Sequence, residues 1–214
     1  MALIARNTDK LKILVSNLEK EGITAKYFTA DVLDFKALEK ALQDTKIHFG
    51  SIDVMEFSPT PPKDSMKQPR DITVTNEQFH LDLQLLAPIA AVQAVLPDML
   101  AKKKGSLLFT TAASAQYPAA ITGSFGVAAG GLLNYVRLLH NDLANENIKV
   151  AIVSVAGLIK SQDGNSQNFP PGIPVLEAGE VAELHWQAHL GNSAVEVYAG
   201  DIAALLKVPF LYQK

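Results

Sequence analysis

Apolar positions along the chain switch repeatedly between short continuous runs and stretches that recur every three to four residues. The runs read as strands and the recurring stretches as helices. Residues 2–5 are a short apolar strand end. Asn7 or Thr8 can cap a helix in which Leu11, Leu14, Val15 and Leu18 fall at i, i+3, i+4 and i+7, and Gly22 stops it. Residues 23–30 are a strand, and Asp34 caps a second helix with Leu38, Ala41 and Leu42 inward. Residues 52–57 form the next strand. A Pro-rich polar loop over 59–71 follows and is expected to be the most mobile segment.

A long helix over about 76–103 is apolar nearly all round and so buried on more than one side. Residues 107–110 are a strand. The helix over 124–145 turns Phe125, Leu132, Val136, Leu139 and Leu143 inward. A strand over 150–155, a second Pro/Gly loop over 164–174, a helix over 177–190 and a last strand over 195–198 complete the order. Strands separated by helices predict an α/β fold, a doubly wound parallel sheet with helices on both faces. There is no internal repeat or linker, so residues 1–214 are expected to form one domain.

Composition narrows the function. Apolar residues make up 48% of the 214 and charged residues 19%, which suits a globular core. A net charge of −3 favours neither nucleic acid nor an anionic membrane as partner, and the basic run Lys102–Lys103–Lys104 reads as a solvated helix end. With no cysteine, disulfides and thiolate chemistry are excluded for these residues, in keeping with a reducing cytoplasm. His185 and His189 share a helix face, but no glutamate follows in a metalloprotease pattern. They read as surface or packing residues, with zinc a distant second, and no metal site is expected. MALIAR is too short for a signal peptide, and Asp82, Gln84, Pro88 and Gln93 interrupt the apolar run 81–96, which reads as a buried helix. A soluble, cytoplasmic protein is the expectation.

The segments ALIARNTDKL, TADVLD, GSIDVMEFSP, QAVLPDML, GSLLFTTAAS and VAIVSVAGLI, in this order, resemble the short-chain dehydrogenase/reductase family over essentially the whole chain. The resemblance implies a Rossmann-like three-layer αβα domain, an NAD(P)(H) cofactor and a small carbonyl-type substrate. It also implies a homo-dimer or homo-tetramer built through the helices 76–103 and 124–145.

Two departures stand against the family pattern. The family opens with a strand, a Gly-rich turn and a helix that hold the cofactor pyrophosphate on backbone N–H groups. This chain begins at what resembles the second strand and has no G-x-x-x-G-x-G. The strand so lost belongs in the sheet centre, between 2–5 and 52–57, where a gap, a poorly ordered edge or a strand lent by another molecule is expected. A truncated start is the reading adopted.

The second departure concerns chemistry. The family uses an Asn, a Ser, and a Tyr and Lys spaced Y-x-x-x-K, the Lys lowering the Tyr pKa from about 10 so that it can act near neutral pH. By the resemblance Gln84 stands at the Asn position, Ala112 at the Ser, Phe125 at the Tyr and Ala129 at the Lys. No lysine occurs between Gly105 and Ile148, so no catalytic residue is assigned.

What remains is a set of cofactor candidates. Arg6 ends the second family strand, where a guanidinium can pair with a 2′-phosphate and so favour NADP(H). By the resemblance Asp31 and Val32 match the family's adenine contact, and Ser58 stands in Phe57-Ser58-Pro59-Thr60, which replaces its N-N-A-G turn. Tyr117 lacks a cationic neighbour and reads as packing or hydrogen bonding, as does Ser114. Thr110 and Thr111 could meet a ligand, and Gln84 is expected to satisfy backbone groups in the core. Tight dinucleotide binding by the chain as given is not expected.

Overall fold

The computed structural model describes residues 1–160 and 171–211. Asn7 caps α1 (Thr8–Lys20) by accepting the N–H of Lys10, and Asp34 caps α2 (Phe35–Phe49) by accepting that of Ala37. These helices separate three strands of four residues each: β1 (Ala2–Ala5), β2 (Lys26–Thr29) and β3 (Val54–Phe57). Then come α3 (Val74–Leu81), a π turn (Asp82–Leu86) and α4 (Ala87–Lys102) as one continuous rod. β4 (Gly105–Ala112), α5 (Gly123–Asp142) and β5 (Ile148–Val155) follow. The strand pair β6 (Leu158–Ile159) and β7 (Val175–Leu176), α6 (Ala178–Leu190), β8 (Glu196–Ala199) and α7 (Ile202–Leu205) end the order.

All pairings are parallel. β3, β4, β5 and β8 form a four-stranded sheet in that order, whereas β1 pairs only with β2. Among the described residues no strand bonds the outer edge of β3. The gap expected between the first strand and 52–57 is therefore present. Even so, Ile4 of β1 packs against the same core as Met55 and Phe57 of β3.

Alternation along the strands sorts the side chains. Met55, Phe57, Leu107, Phe109, Val150 and Ile152 face the large core, with Leu38 and Leu42 of α2, Val92 and Val95 of α4, and Leu132 and Val136 of α5. Leu108, Ala151, Val153 and Val155 face the other way, towards Val181 and Ala188 of α6. α1 packs on β1 and β2. The rod from Val74 to Lys102 is long and apolar enough to cross a membrane, yet Ala87, Ala91, Val92, Val95 and Met99 are buried in the core as expected of an inner helix.

Four expectations change. Strand 23–30 shortens to Lys26–Thr29, because β1 offers only four residues to pair. Strand 107–110 lengthens to Gly105–Ala112, because β5 pairs with all eight. Of the four α1 residues at helical spacing only Leu11 is buried, and Leu14 is 48% exposed, since this helix covers just two strands. The 59–71 loop, expected to be mobile, is pinned: Asn76 Nδ2 donates to the Ser65 carbonyl at 2.8 Å, and Lys67 N–H to Ser124 Oγ at 3.0 Å. Most of the loop expected over 164–174 lies outside the described residues.

Gly157 sits where β5 passes into β6, against the 174–176 segment. A Cβ there would lie 2.4 Å from the Pro174 carbonyl oxygen. Gly157→Ala is expected to cost about 1–3 kcal/mol, as overpacking does, read as a lower urea midpoint with unchanged slope.

Candidate cofactor and reaction site

The C-terminal ends of the strands carry the candidates. Arg6 follows β1, and its guanidinium stands 3.7 Å from the Asp31 carboxylate beyond β2. Asp31 also accepts the N–H of Leu33 at 3.0 Å, and Val32 packs on the core, which fixes this turn. Arg6, Asp31 and Val32 are thus gathered at one end of the site, with the Arg6 side chain 69% exposed. Ser58 stands apart, across the gap, and donates to Glu56 at 2.9 Å. Arg6, Asp31, Val32 and Ser58 are the residues expected to meet a cofactor, and the first three lie together while Ser58 does not. The sequence holds no G-x-x-x-G-x-G turn to cradle a pyrophosphate.

Three of the residues expected at the family's reactive positions, Ala112, Phe125 and Ala129, are apolar. Phe125 and Ala129 lie buried on α5, beside the turn Ala113–Ala115 that follows β4 and Ala112. Gln84, in the π turn, donates to the Pro59 carbonyl at 3.1 Å and so satisfies a backbone group as expected. The hydroxyls of Thr111 and Ser114 are buried with no protein partner.

Tyr117 does not stand free. It packs on Tyr198, ring centroids 6.2 Å apart, and the Tyr198 hydroxyl donates to Glu196 at 2.9 Å. Burial first, then the Glu196 carboxylate and Tyr117, push the Tyr198 pKa up, away from any neutral-pH acid role. Burial acts to raise Glu196 as well. Hydrogen bonds from Arg137, Tyr198 and Gln116 outweigh that and hold it below the usual carboxylate value. Gln116 Nε2 reaches both Glu196 and Ser154, at 2.6 and 2.8 Å, so one amide ties the β4–α5 loop to β5 and β8. This network fixes a wall of the site.

A second cluster lies on the opposite sheet face. Thr110 donates to Glu56 Oε1 at 3.1 Å and lies 2.8 Å from His185 Nε2. With the Thr110 proton committed to Glu56, its oxygen accepts from the Nε2–H of His185, which leaves His185 Nδ1 a buried lone pair without a partner. Burial lowers the His185 pKa to about 4. Burial also raises Glu56, more than its bonds from Ser58 and Thr110 lower it. His189, one turn on, meets Ser106 at 2.9 Å. The histidine pair therefore packs onto the sheet, and no group of three or more His, Asp or Glu among the described residues is placed to hold a metal ion.

These groups line a hollow of about 560 Å³ between β3, β4 and α6. Glu56, Ser58, Thr60, Thr110 and His185 mark its upper end, and Val54, Leu108, Val181 and Trp186 give it apolar walls. Sequence reading missed Glu56, Glu196 and Arg137. The available signal was a carboxylate inside a strand pattern, at Glu56 in VMEF and Glu196 in EVYA.

The family model described as short chain dehydrogenase matches residues 1–168. The chain belongs to the short chain dehydrogenase family. A short chain dehydrogenase of Pseudocercospora fijiensis is 23% identical over 190 residues, covering 83% of this chain and 58% of that protein. An uncharacterized oxidoreductase of Staphylococcus epidermidis is 23% identical over 154 residues, covering 72% and 65%. The chain thus spans about three fifths of the length of these curated relatives. Its fold matches L-sorbose reductase from Gluconobacter frateurii, complexed with NADPH and L-sorbose, at TM-score 0.82 and 18% identity, covering 97% of this chain and 87% of that one. An alcohol dehydrogenase from Thermococcus sibiricus, complexed with 5-hydroxy-NADP, matches at 0.77 and 18%, covering 92% and 84%.

The two shifted groups predict opposite pH responses. The folded pKa of His185 lies below its unfolded 6.5, so its contribution is present above 6.5 and is lost as pH falls towards about 4. The folded pKa of Glu56 lies above 4.5, so its contribution is present below 4.5 and is lost as pH rises through the folded value. Glu56→Gln is expected to raise the melting temperature at pH 7 and to give no gain near pH 4, while His185→Gln flattens the fall between pH 6.5 and 4. Melting curves across that range check both.

Proposed function

We propose that these residues form the greater part of a family oxidoreductase, nominally NADP(H)-dependent and directed at a small carbonyl-type substrate. A strand–turn–helix unit filling the gap between β1 and β3 completes its cofactor site. The observation that carries this reading is the divided site. Arg6, Asp31 and Val32 gather after β1 and β2, where the reading puts the adenosine, while among the described residues β3 has an unpaired edge beside an open hollow. An exposed guanidinium after β1 suits a 2′-phosphate. The NADPH and 5-hydroxy-NADP in the two relatives agree with that choice.

The cofactor, when held, supplies the hydride chemistry. This chain's own residues supply only the adenosine contacts and the walls. A non-catalytic dinucleotide-binding or regulatory role is the second reading. It is favoured by the apolar Ala112, Phe125 and Ala129, and by a Tyr198 hydroxyl held protonated by burial and Glu196. A structural role in a homo-dimer or homo-tetramer is the third. Val127 and Leu138 on α5 are 58% and 60% exposed, an apolar surface that suits contact with a second copy.

Calorimetric titration tests the first reading. The 214-residue chain is expected to show no micromolar NADPH binding and no turnover of ketones, aldehydes or quinones. The chain extended by a strand–Gly turn–helix unit is expected to bind NADPH. In that extended protein Arg6→Ala should weaken NADPH by about tenfold and leave NADH nearly unchanged, the loss of one charge-assisted contact. Tight binding with steady turnover by the unextended chain overturns the reading. Light scattering of the same samples separates a monomer from the proposed oligomer.

A further inference from the structure

The hollow beside β3 has a shape and a polarity that specify what covers it. α1 steps from β1 to β2, and α2 returns from β2 to β3 in the opposite direction. Right-handed crossovers therefore place α1 and α2 on opposite sheet faces. α2 lies on the face of the large core with α4, which leaves α1 on the α6 face. A strand filling the gap and crossing over to β1 steps in the same direction as α1. Its helix must then lie on the α6 face, between α1 and α6, and that is where the hollow is. The helix would begin at the C-terminal edge of the sheet, near Glu56 and Thr110, and run down over Val54 and Leu108.

We propose that this covering helix carries a lysine or arginine in its first two turns, paired with the Glu56 carboxylate, and apolar residues below it. The inference rests on the reading that a strand–turn–helix unit completes the sheet. Among the residues lining the hollow Glu56 is the only carboxylate, and there is no lysine or arginine. Ser58 and Thr110 offer it neutral donors only. His185 Nε2 stands 3.7 Å away and is engaged with Thr110. With its pKa lowered to about 4 by burial, His185 brings no positive charge at neutral pH. A helix closing the hollow withdraws water from a side chain now 40% exposed. A buried charge without a partner is strongly disfavoured, whereas a charge-assisted pair is one of the stronger contacts a helix can make. The cluster thus works as a positional key, accepting a helix with a basic residue at one place and rejecting an all-apolar one.

A library tests this. Strand–turn–helix segments of about 30 residues are fused ahead of Met1 of the 214-residue chain, with the inward positions of the first two helical turns randomised. The pool is selected for protease resistance and sequenced. Lysine and arginine are expected to be enriched about tenfold at one position, the scale of one charge-assisted contact. On a Glu56→Leu background the same position should turn apolar. Resistant segments that are apolar at every position on the unmodified chain overturn this inference alone. If no segment raises resistance above that of the unfused chain, the strand–turn–helix reading fails, and this inference with it.

Discussion

Among the described residues β3 is hydrogen-bonded along one edge only, and much of the structure follows from that. A strand inside a parallel sheet is held by ladders on both sides and by helices on both faces. β3 has β4 on one side and the large core on one face. Its other edge meets no strand among the described residues, and its other face is covered only in part, by α6, whose His185 stands 3.7 Å from Glu56, so Val54 is 41% exposed and Glu56 looks into a half-enclosed hollow. The same deficit reaches α1, whose Ile13 and Leu14 stay in solvent because the helix has two strands to cover and no helix beside it towards α6. Unpaired backbone groups each cost about 1–3 kcal/mol when buried, which keeps this edge open to water or to another strand.

The sheet divides its polar chemistry between two faces by alternation alone. Glu196 and Tyr198 point to the α5 side and meet Arg137, Gln116 and Ser154. Glu56 and Thr110 point to the α6 side and meet His185. The first group is closed: every carboxylate oxygen of Glu196 has a donor, and its charge is matched by Arg137. The second is open, with a carboxylate, a neutral imidazole and a hollow above them. The closed group builds the wall behind Tyr117, while the open one marks where the domain is still receptive.

The strand and helix order was legible from periodicity, because each element buries one face and the period of that face is local information. Caps such as Asn7 and Asp34 were legible for the same reason. Element lengths were less so, since a partner sets them: β2 ends where β1 ends, and β4 runs as long as β5 does. At the candidate site, Arg6, Asp31 and Val32 could be placed together because strand ends in a doubly wound sheet converge on one edge. Ser58 could not be separated from them, because nothing in FSPT says that its hydroxyl turns back to Glu56. The clusters at Glu56 and Glu196 join residues 129 and 80 positions apart in the case of His185 with Glu56 and Glu196 with Gln116, a pairing no local pattern carries.

The π turn at Asp82–Leu86 gives the rod from Val74 to Lys102 two separate allegiances. Ahead of it, Asn76 and His80 grip the Ser65 carbonyl; after it, Ala87, Ala91 and Val95 fill the core. A π turn holds one residue more than an α-turn, so it sets the angular offset between these halves. Relaxing it to α geometry with all its residues kept would rotate the leading half by about 100° against the trailing one. Asn76 and His80 would then swing off the loop, and Gln84 off Pro59. The rod behaves as a cam, in which the phase of one segment, rather than any single contact, decides whether the loop over the site is held down.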